Sequence, residues 1–238
     1  MNNFVSSLLT PLKDFIFKAE CFHCGNELSD GEDRVCDTCW QSLTPVHPND
    51  FTYKVMSERF HKDGIIDEFI PLFYFEKGNA LQQLAHSLKY EEITSLGTEL
   101  GKRIGDHLLE RNINADIIIP VPLNKRKERE RGYNQSGCIA RGISERNGIP
   151  MKEDIVTRSK YTSTQTHLNA EERKKNVADA FELNKNSIDV LKNKHILVVD
   201  DIITTGSTIQ EVGKILKENG VKIVVAVSAG LAKLGEDS

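Results

Sequence analysis

The chain has no long apolar run and little net charge, and each shortage argues against a class of protein. None of its 238 residues belongs to a run of the ~18 consecutive apolar residues that a membrane-spanning helix needs. The formal net charge is −4, so the overall charge does not indicate binding to nucleic acid or to an anionic membrane surface. The first residues also lack the basic region and apolar core of a secretory signal. We therefore expect a cytoplasmic protein without stable membrane insertion.

Cysteine is scarce, but it is not scattered. Four of the five cysteines form two C-x₂-C pairs, Cys21 with Cys24 and Cys36 with Cys39, with eleven residues between the pairs. Each pair supplies two thiolates from one tight turn, and four thiolates complete the tetrahedron that zinc prefers. Two disulfides are the competing interpretation and an iron–sulfur cluster is a third, but cytoplasmic thiols stay reduced, which favours a metal. Four protein ligands leave no position for substrate, so we expect a structural zinc, and we expect the lone Cys138 to be buried and inert.

Apolar segments typical of strands alternate with segments of helical periodicity along most of the chain. The predicted strands are Ile70–Phe75, Ala115–Val121, Ile155–Arg158, Ile196–Asp200 and Val221–Ser228. The predicted helices are Asn79–Lys89, Glu92–Arg111, Tyr133–Arg146 and Ser207–Asn219. This alternation predicts an α/β fold with a mostly parallel sheet. We expect an N-terminal segment with a zinc module over 1–45, a linking region over 46–90 and the α/β domain over 91–238.

The segment 195–208, HILVVDDIITTGST, carries the strongest functional signal. A buried strand ends at two adjacent acids, Asp200 and Asp201, and the turn Thr204–Thr208 leads into a helix. Ligands of open α/β sheets bind at the carboxyl ends of the strands, where backbone N–H groups and a helix N-terminus favour a phosphate. Two carboxylates beside such a phosphate suit the vicinal hydroxyls of a sugar phosphate, or a bound Mg²⁺ ion.

A second segment, 117–135, joins a buried strand to a strongly basic loop. After the strand, the seven residues 125–131 contain five cations, namely Lys125, Arg126, Lys127, Arg129 and Arg131. By itself such a run indicates a solvated charged helix or turn. Because loops after neighbouring parallel strands lie side by side, the run can also face the TTGST turn and bind a pyrophosphate. A contact to nucleic-acid phosphates, with Tyr133 stacking on a base, is the third interpretation.

These motifs together resemble a known family. The VDDIITTGST segment is similar to the signature of type I phosphoribosyltransferases, which bind 5-phosphoribosyl 1-pyrophosphate (PRPP). The paired C-x₂-C knuckles, the PVPL and RGYNQ segments and the spaced set below are similar to the ComF family of competence-associated bacterial proteins. The resemblance covers roughly residues 20–232, in the expected order. The spaced set comprises Leu88, Lys89, Tyr90, Gln165, Leu168, Arg173, Asn176 and Phe181.

The resemblance implies a role for each group of residues. Asp200 and Asp201 would hold the ribose and act as the catalytic residues, and Mg²⁺ would accompany PRPP. The PRPP-binding residues would be these two acids together with Thr204, Thr205, Gly206, Ser207 and Thr208, which would surround the 5′-phosphate. The pyrophosphate-binding residues would be Lys89, Arg126, Arg129 and Arg131. The residues of a mobile loop that closes over the ligand would be Gln165, Arg173 and Asn176, and region 46–90 would supply the hood over the acceptor.

Three functional hypotheses remain open on the sequence. The first is a phosphoribosyltransferase that transfers phosphoribose from PRPP to an unidentified acceptor and releases pyrophosphate. The second is a PRPP-binding sensor without turnover. The third is an accessory protein of DNA uptake in natural competence, whose partners would be single-stranded DNA and a helicase-like protein. The last two are compatible with each other, and all three predict that PRPP binds.

Overall fold

A computed structural model describes residues 19–90, 94–158 and 180–234 of the chain. Their contacts divide the chain into two compact units, one ending at Leu43 and the other beginning at Thr44. The first unit contains a single described helix, α1 (Asp37–Gln41), and a backbone bridge between Glu20 and Glu27. Within the described residues, no helix is long and apolar enough to cross a membrane.

The second unit is built on a four-stranded sheet in the order β1-β6-β5-β2, and all of its neighbouring strands are parallel. Its strands are β1 (Glu68–Phe75), β2 (Ile117–Pro120), β5 (His195–Ile203) and β6 (Ile223–Ala232). A separate antiparallel ribbon pairs β3 (Val156–Arg158) with β4 (Phe181–Leu183). The predicted α/β fold with a mostly parallel sheet is therefore confirmed.

Helices connect the strands. The longer ones are α2 (Phe51–Asp63), α3 (Ala80–Tyr90), α4 (Thr94–Glu110), α6 (Gln135–Asn147) and α8 (Ser207–Glu218). The shorter ones are α5 (Lys125–Arg131), a 3₁₀ turn (Lys185–Ser187) and α7 (Ile188–Leu191). On α8 the residues Ile209, Val212 and Leu216 recur at helical spacing and are fully buried, as the sequence pattern requires. The predicted elements are thus present with shifted ends.

The neighbouring strands β2 and β5 are buried on both faces, which explains why their sequences are continuous apolar runs. All four residues of β2 are buried, and Ile196–Val199 of β5 have no exposed surface. Parallel strands covered by helices on both sides have this pattern. The two strands therefore lie side by side in the core, and their carboxyl ends meet at one edge of the sheet.

Two segments differ from the sequence expectation. The run expected as a basic loop is helix α5, because Asn124 caps its start by accepting the Arg126 N–H at 2.9 Å and Gly132 ends it in the left-handed conformation. The region 46–90, in which only a strand and a helix were predicted, also contains α2. Helix α2 lacks a clear apolar stripe, and its buried residues Thr52, Met56 and Phe60 fall on a narrow face.

Candidate functional site

The two predicted acids lie at the carboxyl edge of the sheet, inside the last part of β5. The sequence placed the end of this strand at Asp200, but β5 runs on to Ile203, because Asp200 pairs with Ser228 and Ile202 with Gly230 of β6. Extended pairing gives the acids a fixed backbone. Asp200 and Asp201 are both partly exposed, so a ligand above this edge can reach them.

One oxygen of each carboxylate has a defined set of donors. Oδ1 of Asp200 accepts from the Ser136 hydroxyl at 3.1 Å and from the Asp201 N–H at 3.0 Å. Oδ1 of Asp201 accepts from the Ile202 N–H at 2.8 Å. Two donors from different directions, as at Asp200, restrict the plane of a carboxylate and therefore also the direction of its second oxygen.

The turn after β5 forms a small polar cup. Asp200 and residues 202–209 line a concavity of about 30 Å³. Gly206 has φ +73° and precedes the first residue of α8, so the backbone turns sharply into the helix. The hydroxyls of Thr205 and Ser207 lie 3.0 Å apart. N–H groups at the start of a helix together with hydroxyls are the donors that a phosphate needs.

Helix α2 supports this cup from the side. A Cβ atom on Gly206 would lie 2.5 Å from Cζ of Phe60 and 3.1 Å from Cε of Met56, so only glycine fits against these two side chains. One turn further along α8, Gln210 donates from Nε2 to Asp63 Oδ2 at 2.9 Å. A helix that the sequence pattern did not reveal thus fixes the position of the predicted phosphate turn.

The start of α6 connects the ends of β2 and β5. Asn134 caps α6 by accepting the Ser136 N–H at 3.2 Å, and its Nδ2 donates to Val121 O, one residue beyond β2, at 3.0 Å. Ser136 then reaches Asp200 on β5. Asn134 and Gln135 belong to the RGYNQ segment of the family pattern, but Ser136 has no sequence signal of its own. No local pattern predicts its contact with Asp200, 64 positions further along the chain.

The basic helix α5 presents its cations at the surface. Arg126 pairs through Nε with Glu130 Oε1 at 2.9 Å, and Arg129 donates from Nε to Lys125 O at 3.2 Å. Arg126 and Arg129 are exposed and Arg131 is half-buried. These contacts are those of a solvated helix, and the pyrophosphate role of the three arginines stays a prediction.

Lys89 lies in the last turn of α3. The half-buried Tyr133 ties this turn to the segment after α5, because its hydroxyl donates to the backbone oxygen of Leu88. The Tyr133 side chain therefore has a structural partner, which weighs against its ring stacking on a nucleic-acid base. The other predicted ligand residues, Gln165, Arg173 and Asn176, lie outside the described residues.

Arg158 is a cation near the acids that the sequence reasoning did not single out as a site residue. Its guanidinium carbon lies 5.3 Å from the ring centre of Phe181, across the β3–β4 ribbon, and its backbone bridges to Asn124. Burial lowers the pKa of Arg158, and the negative charge of Asp200 opposes that shift. A positive charge therefore acts on the first of the two acids.

The four N-terminal cysteines come together as predicted. Their sulfur atoms all lie within 4.8 Å of one another, with Cys21 to Cys39 at 3.7 Å and Cys24 to Cys36 at 3.8 Å. Zinc–sulfur bonds of about 2.3 Å give sulfur separations of about 3.8 Å in a tetrahedron, so the cluster could hold zinc. Burial raises the pKa of Cys21, but the N–H groups of Cys24 and Cys36 outweigh it and lower that pKa to about 6. Cys138 is buried with a raised pKa, as expected of an inert thiol.

Comparison with known proteins defines the class first. Residues 131–236 match the phosphoribosyl transferase domain family, and this segment contains Ser136, both acids and the TTGST turn. Residues 131–236 are therefore similar to this family, and the same chain carries the four-cysteine cluster.

Curated relatives give a more specific similarity than the domain family does. The chain is 32% identical over 149 residues to DNA utilization protein YhgH of Salmonella typhi, which covers 60% of this chain and 64% of the relative. It is 40% identical over 111 residues to Competence protein F of Haemophilus influenzae, covering 45% of this chain and 46% of the relative. The resemblance to the ComF family that the motifs indicated is thus confirmed, and the chain is a homologue of these DNA-utilization and competence proteins.

Two solved structures match this chain at lower similarity. The allosteric regulatory enzyme of purine biosynthesis is 23% identical with a TM-score of 0.39, covering 56% of this chain and 25% of the other. A hypoxanthine phosphoribosyltransferase of Staphylococcus aureus is 16% identical with a TM-score of 0.35, covering 56% of this chain and 61% of the other.

Proposed function

We propose that the protein binds PRPP at the carboxyl edge of its sheet and acts in DNA uptake during natural competence. The observation that carries the proposal is the placement of Asp200 and Asp201 beside the Thr204–Thr208 cup, on the segment that matches the phosphoribosyl transferase domain. The two carboxylates would accept hydrogen bonds from the ribose hydroxyls, and the cup would donate to the 5′-phosphate. The names of the homologues support the link to competence.

Pyrophosphate would lie toward the neighbouring strand end, where α6 begins. The candidates for its binding are Lys89, Arg126, Arg129 and Arg131. Asp200 and Asp201 are oxygen donors of the kind that Mg²⁺ prefers, and bound Mg²⁺ supplies positive charge against the phosphate oxygens. Zinc at Cys21, Cys24, Cys36 and Cys39 would have a structural role, since four thiolates leave no open coordination position.

Turnover, if it occurs, follows from the charges at this edge. Cleavage of the bond between C1 and the pyrophosphate oxygen leaves positive charge on the ribose ring, and a nitrogen nucleophile takes the place of the leaving group. The carboxylates of Asp200 and Asp201 would stabilise that ring charge and orient the ribose. The arginines would neutralise the pyrophosphate as it departs. Gln165, Arg173 and Asn176 remain candidates for closing over the ligand, and the cytoplasm remains the predicted location.

Calorimetric titration of PRPP with Mg²⁺ tests the proposal. We expect micromolar binding, which corresponds to about −8 kcal/mol, in the wild type and no binding in the Asp200→Asn/Asp201→Asn variant. Asp189→Asn/Glu218→Gln is the matched control, because these carboxyls precede β5 and end α8 at the opposite edge of the sheet. No heat in the wild type, and no competition by ribose 5-phosphate or pyrophosphate, would overturn the proposal. Pyrophosphate release with an acceptor would separate the enzyme from the sensor.

The exposed cations of α5 favour a second candidate, an accessory protein that contacts single-stranded DNA, with or without a helicase-like partner. Phosphate contacts by α5 make affinity fall with salt, with a slope of about 0.7 per neutralised phosphate on single strands. Replacing Arg126, Arg129 and Arg131 with Ala should flatten that slope. Replacing the exposed Lys152, Lys185 and Lys222 removes the same charge elsewhere and should leave the slope intact. An unchanged slope in the α5 variant argues against this candidate.

A further inference from the structure

The start of α6 has a contact to the ribose site that none of the predicted roles includes. The Ser136 hydroxyl lies 3.1 Å from Oδ1 of Asp200, and the Ser136 side chain is almost completely buried, with 4% of its residue surface exposed. A buried hydroxyl beside a carboxylate donates to it, since the ionised carboxylate is acceptor-only. This hydrogen bond is charge-assisted and therefore stronger than one between neutral groups.

Ser136 is connected to the end of β2 through the capping residue Asn134. Its backbone N–H donates to the Asn134 side chain, and Asn134 donates from Nδ2 to Val121 O at the end of β2. These bonds hold the first turn of α6 in place against the end of β2. The pairing of β2 with β5 in turn holds β2 in place relative to β5. The path from Val121 through Asn134 and Ser136 to Asp200 consists of hydrogen bonds between described residues.

The orientation of Asp200 depends on this path. Its Oδ1 also accepts the Asp201 N–H, so two donors from different directions define the plane of the carboxylate. Removing the serine hydroxyl takes away the donor on α6, so the plane of the carboxylate is restricted less. Arg158 adds positive charge near the same group.

We propose that Ser136 is a positioning residue of the ribose site, which holds Oδ1 of Asp200 so that Oδ2 is directed at the 2-hydroxyl of the ribose. The inference rests on the proposed function, because it assigns a sugar with vicinal hydroxyls to the same site. It adds that Ser136 contributes to the discrimination between ribose and deoxyribose phosphates. A serine that only stabilised α6 would affect both sugars equally.

The test compares two probes, ribose 5-phosphate and 2-deoxyribose 5-phosphate, in direct binding to the full chain. Wild type is expected to prefer the ribose compound. Ser136→Ala should weaken ribose 5-phosphate about 10-fold, close to one charge-assisted hydrogen bond, and leave the deoxy compound nearly unchanged, so that the preference shrinks. Ser136→Thr keeps the hydroxyl and should restore the preference. If the added methyl group lowers the stability of that variant, the ratio of the two affinities still reports on the hydroxyl.

Ser144→Ala is the matched control on the same helix, since its hydroxyl donates to Ile149 O at 2.6 Å near the opposite end of α6. It should leave the ratio of affinities at the wild-type value. An unchanged ratio in Ser136→Ala, or an equal loss for both sugars, would overturn the positioning role while the proposed function stands. Failure of the wild type to bind either sugar phosphate or PRPP would overturn both.

Discussion

The ring of Phe60 occupies the space that a side chain on Gly206 would need: a Cβ atom built on Gly206 lies 2.5 Å from Cζ of Phe60. Gly206 also has a φ of +73°, which residues with a Cβ atom rarely adopt. Two independent constraints thus require glycine in the phosphate turn. One constraint is the local backbone conformation of the turn. The other is the contact with Phe60 on α2, which is distant in sequence.

Gly206→Ala is expected to destabilise the protein by about 1–3 kcal/mol and to remove phosphate binding, because the turn must move away from Phe60. Thermal or urea unfolding measures the first effect, and PRPP titration measures the second. Phe60→Leu in the same background removes ring atoms from the clash but leaves the strain of positive φ. The double variant should therefore lose less unfolding free energy than the sum of the losses in the two single variants. A loss equal to that sum would show that the Phe60 ring is not the obstacle.

Helices α4 and α6 meet at glycines that leave no room for a methyl group. A Cβ atom on Gly101 would lie 2.0 Å from Ile139 O, and one on Gly142 would lie 2.0 Å from Thr98 O. Helix propensity alone predicts that Gly101→Ala stabilises α4 by about 1 kcal/mol. The contact with backbone atoms of α6 predicts instead that Gly101→Ala lowers the free energy of unfolding by about 1–3 kcal/mol. The reason is that α4 must shift as a whole to make room for the methyl group.

Equilibrium unfolding of Gly101→Ala decides between the two, since it measures the sign directly. The adjacent Lys102→Ala is a suitable control, because the surface pair of Lys102 with Glu145 at 3.6 Å contributes little to stability. A Gly101→Ala variant as stable as the control would contradict the close packing of α4 against α6.

Removal of metal should unfold the cysteine module. Its described part, residues 19–43, has a small core, and a structural zinc contributes roughly 10–16 kcal/mol of apparent binding free energy to such modules. Elemental analysis should find one zinc per chain in the wild type and none in Cys36→Ser, with early proteolysis within the module of that variant. Cys138→Ser is the control and should keep its zinc, since Cys138 is not part of the cluster. Full zinc content in Cys36→Ser would exclude the four-thiolate site.

Stability at acid pH should depend on Asp116. This carboxyl accepts the His195 N–H at 2.8 Å and pairs with Lys194 Nζ at 3.0 Å, and these contacts lower its pKa. A carboxyl whose pKa is lower in the folded state stabilises the fold above its unfolded pKa of about 3.9, and that contribution disappears as the pH falls through the folded value. Asp116→Asn should therefore be less stable than wild type at pH 7, with the difference narrowing below pH ~4.

Unfolding free energies measured at several pH values test this expectation. Glu145→Gln is the control, because its pair with Lys102 is exposed and long. A difference between Asp116→Asn and wild type that stays constant from neutral to acid pH would contradict the assignment, since loss of a charge interaction must depend on protonation.

Much of the fold could be predicted from the sequence, because its signals lie in contiguous residues. Residues 196–199 are apolar without interruption, and they form a strand buried on both faces. Gln135–Asn147 and Ser207–Glu218 form helices with ends near the predicted ones. Helix α2 was not predicted, since most of its surface is polar and only a narrow face with Met56 and Phe60 is buried. For the basic run 125–131 the sequence left a loop, a turn and a charged helix open, and the structure has helix α5 with a cap at Asn124.

The sequence by itself determined the chemistry of this protein: four thiols in two pairs, and two acids followed by a phosphate turn. Such motifs are short, and backbone preferences with hydrogen bonds over a few residues suffice to form them. Only the tertiary structure decided what surrounds them. Ser136 contacts Asp200 across 64 positions, Phe60 confines Gly206, and Gly101 lies against Ile139. Each of these contacts depends on how β2, β5 and their helices pack, and no local pattern specifies the packing of distant elements.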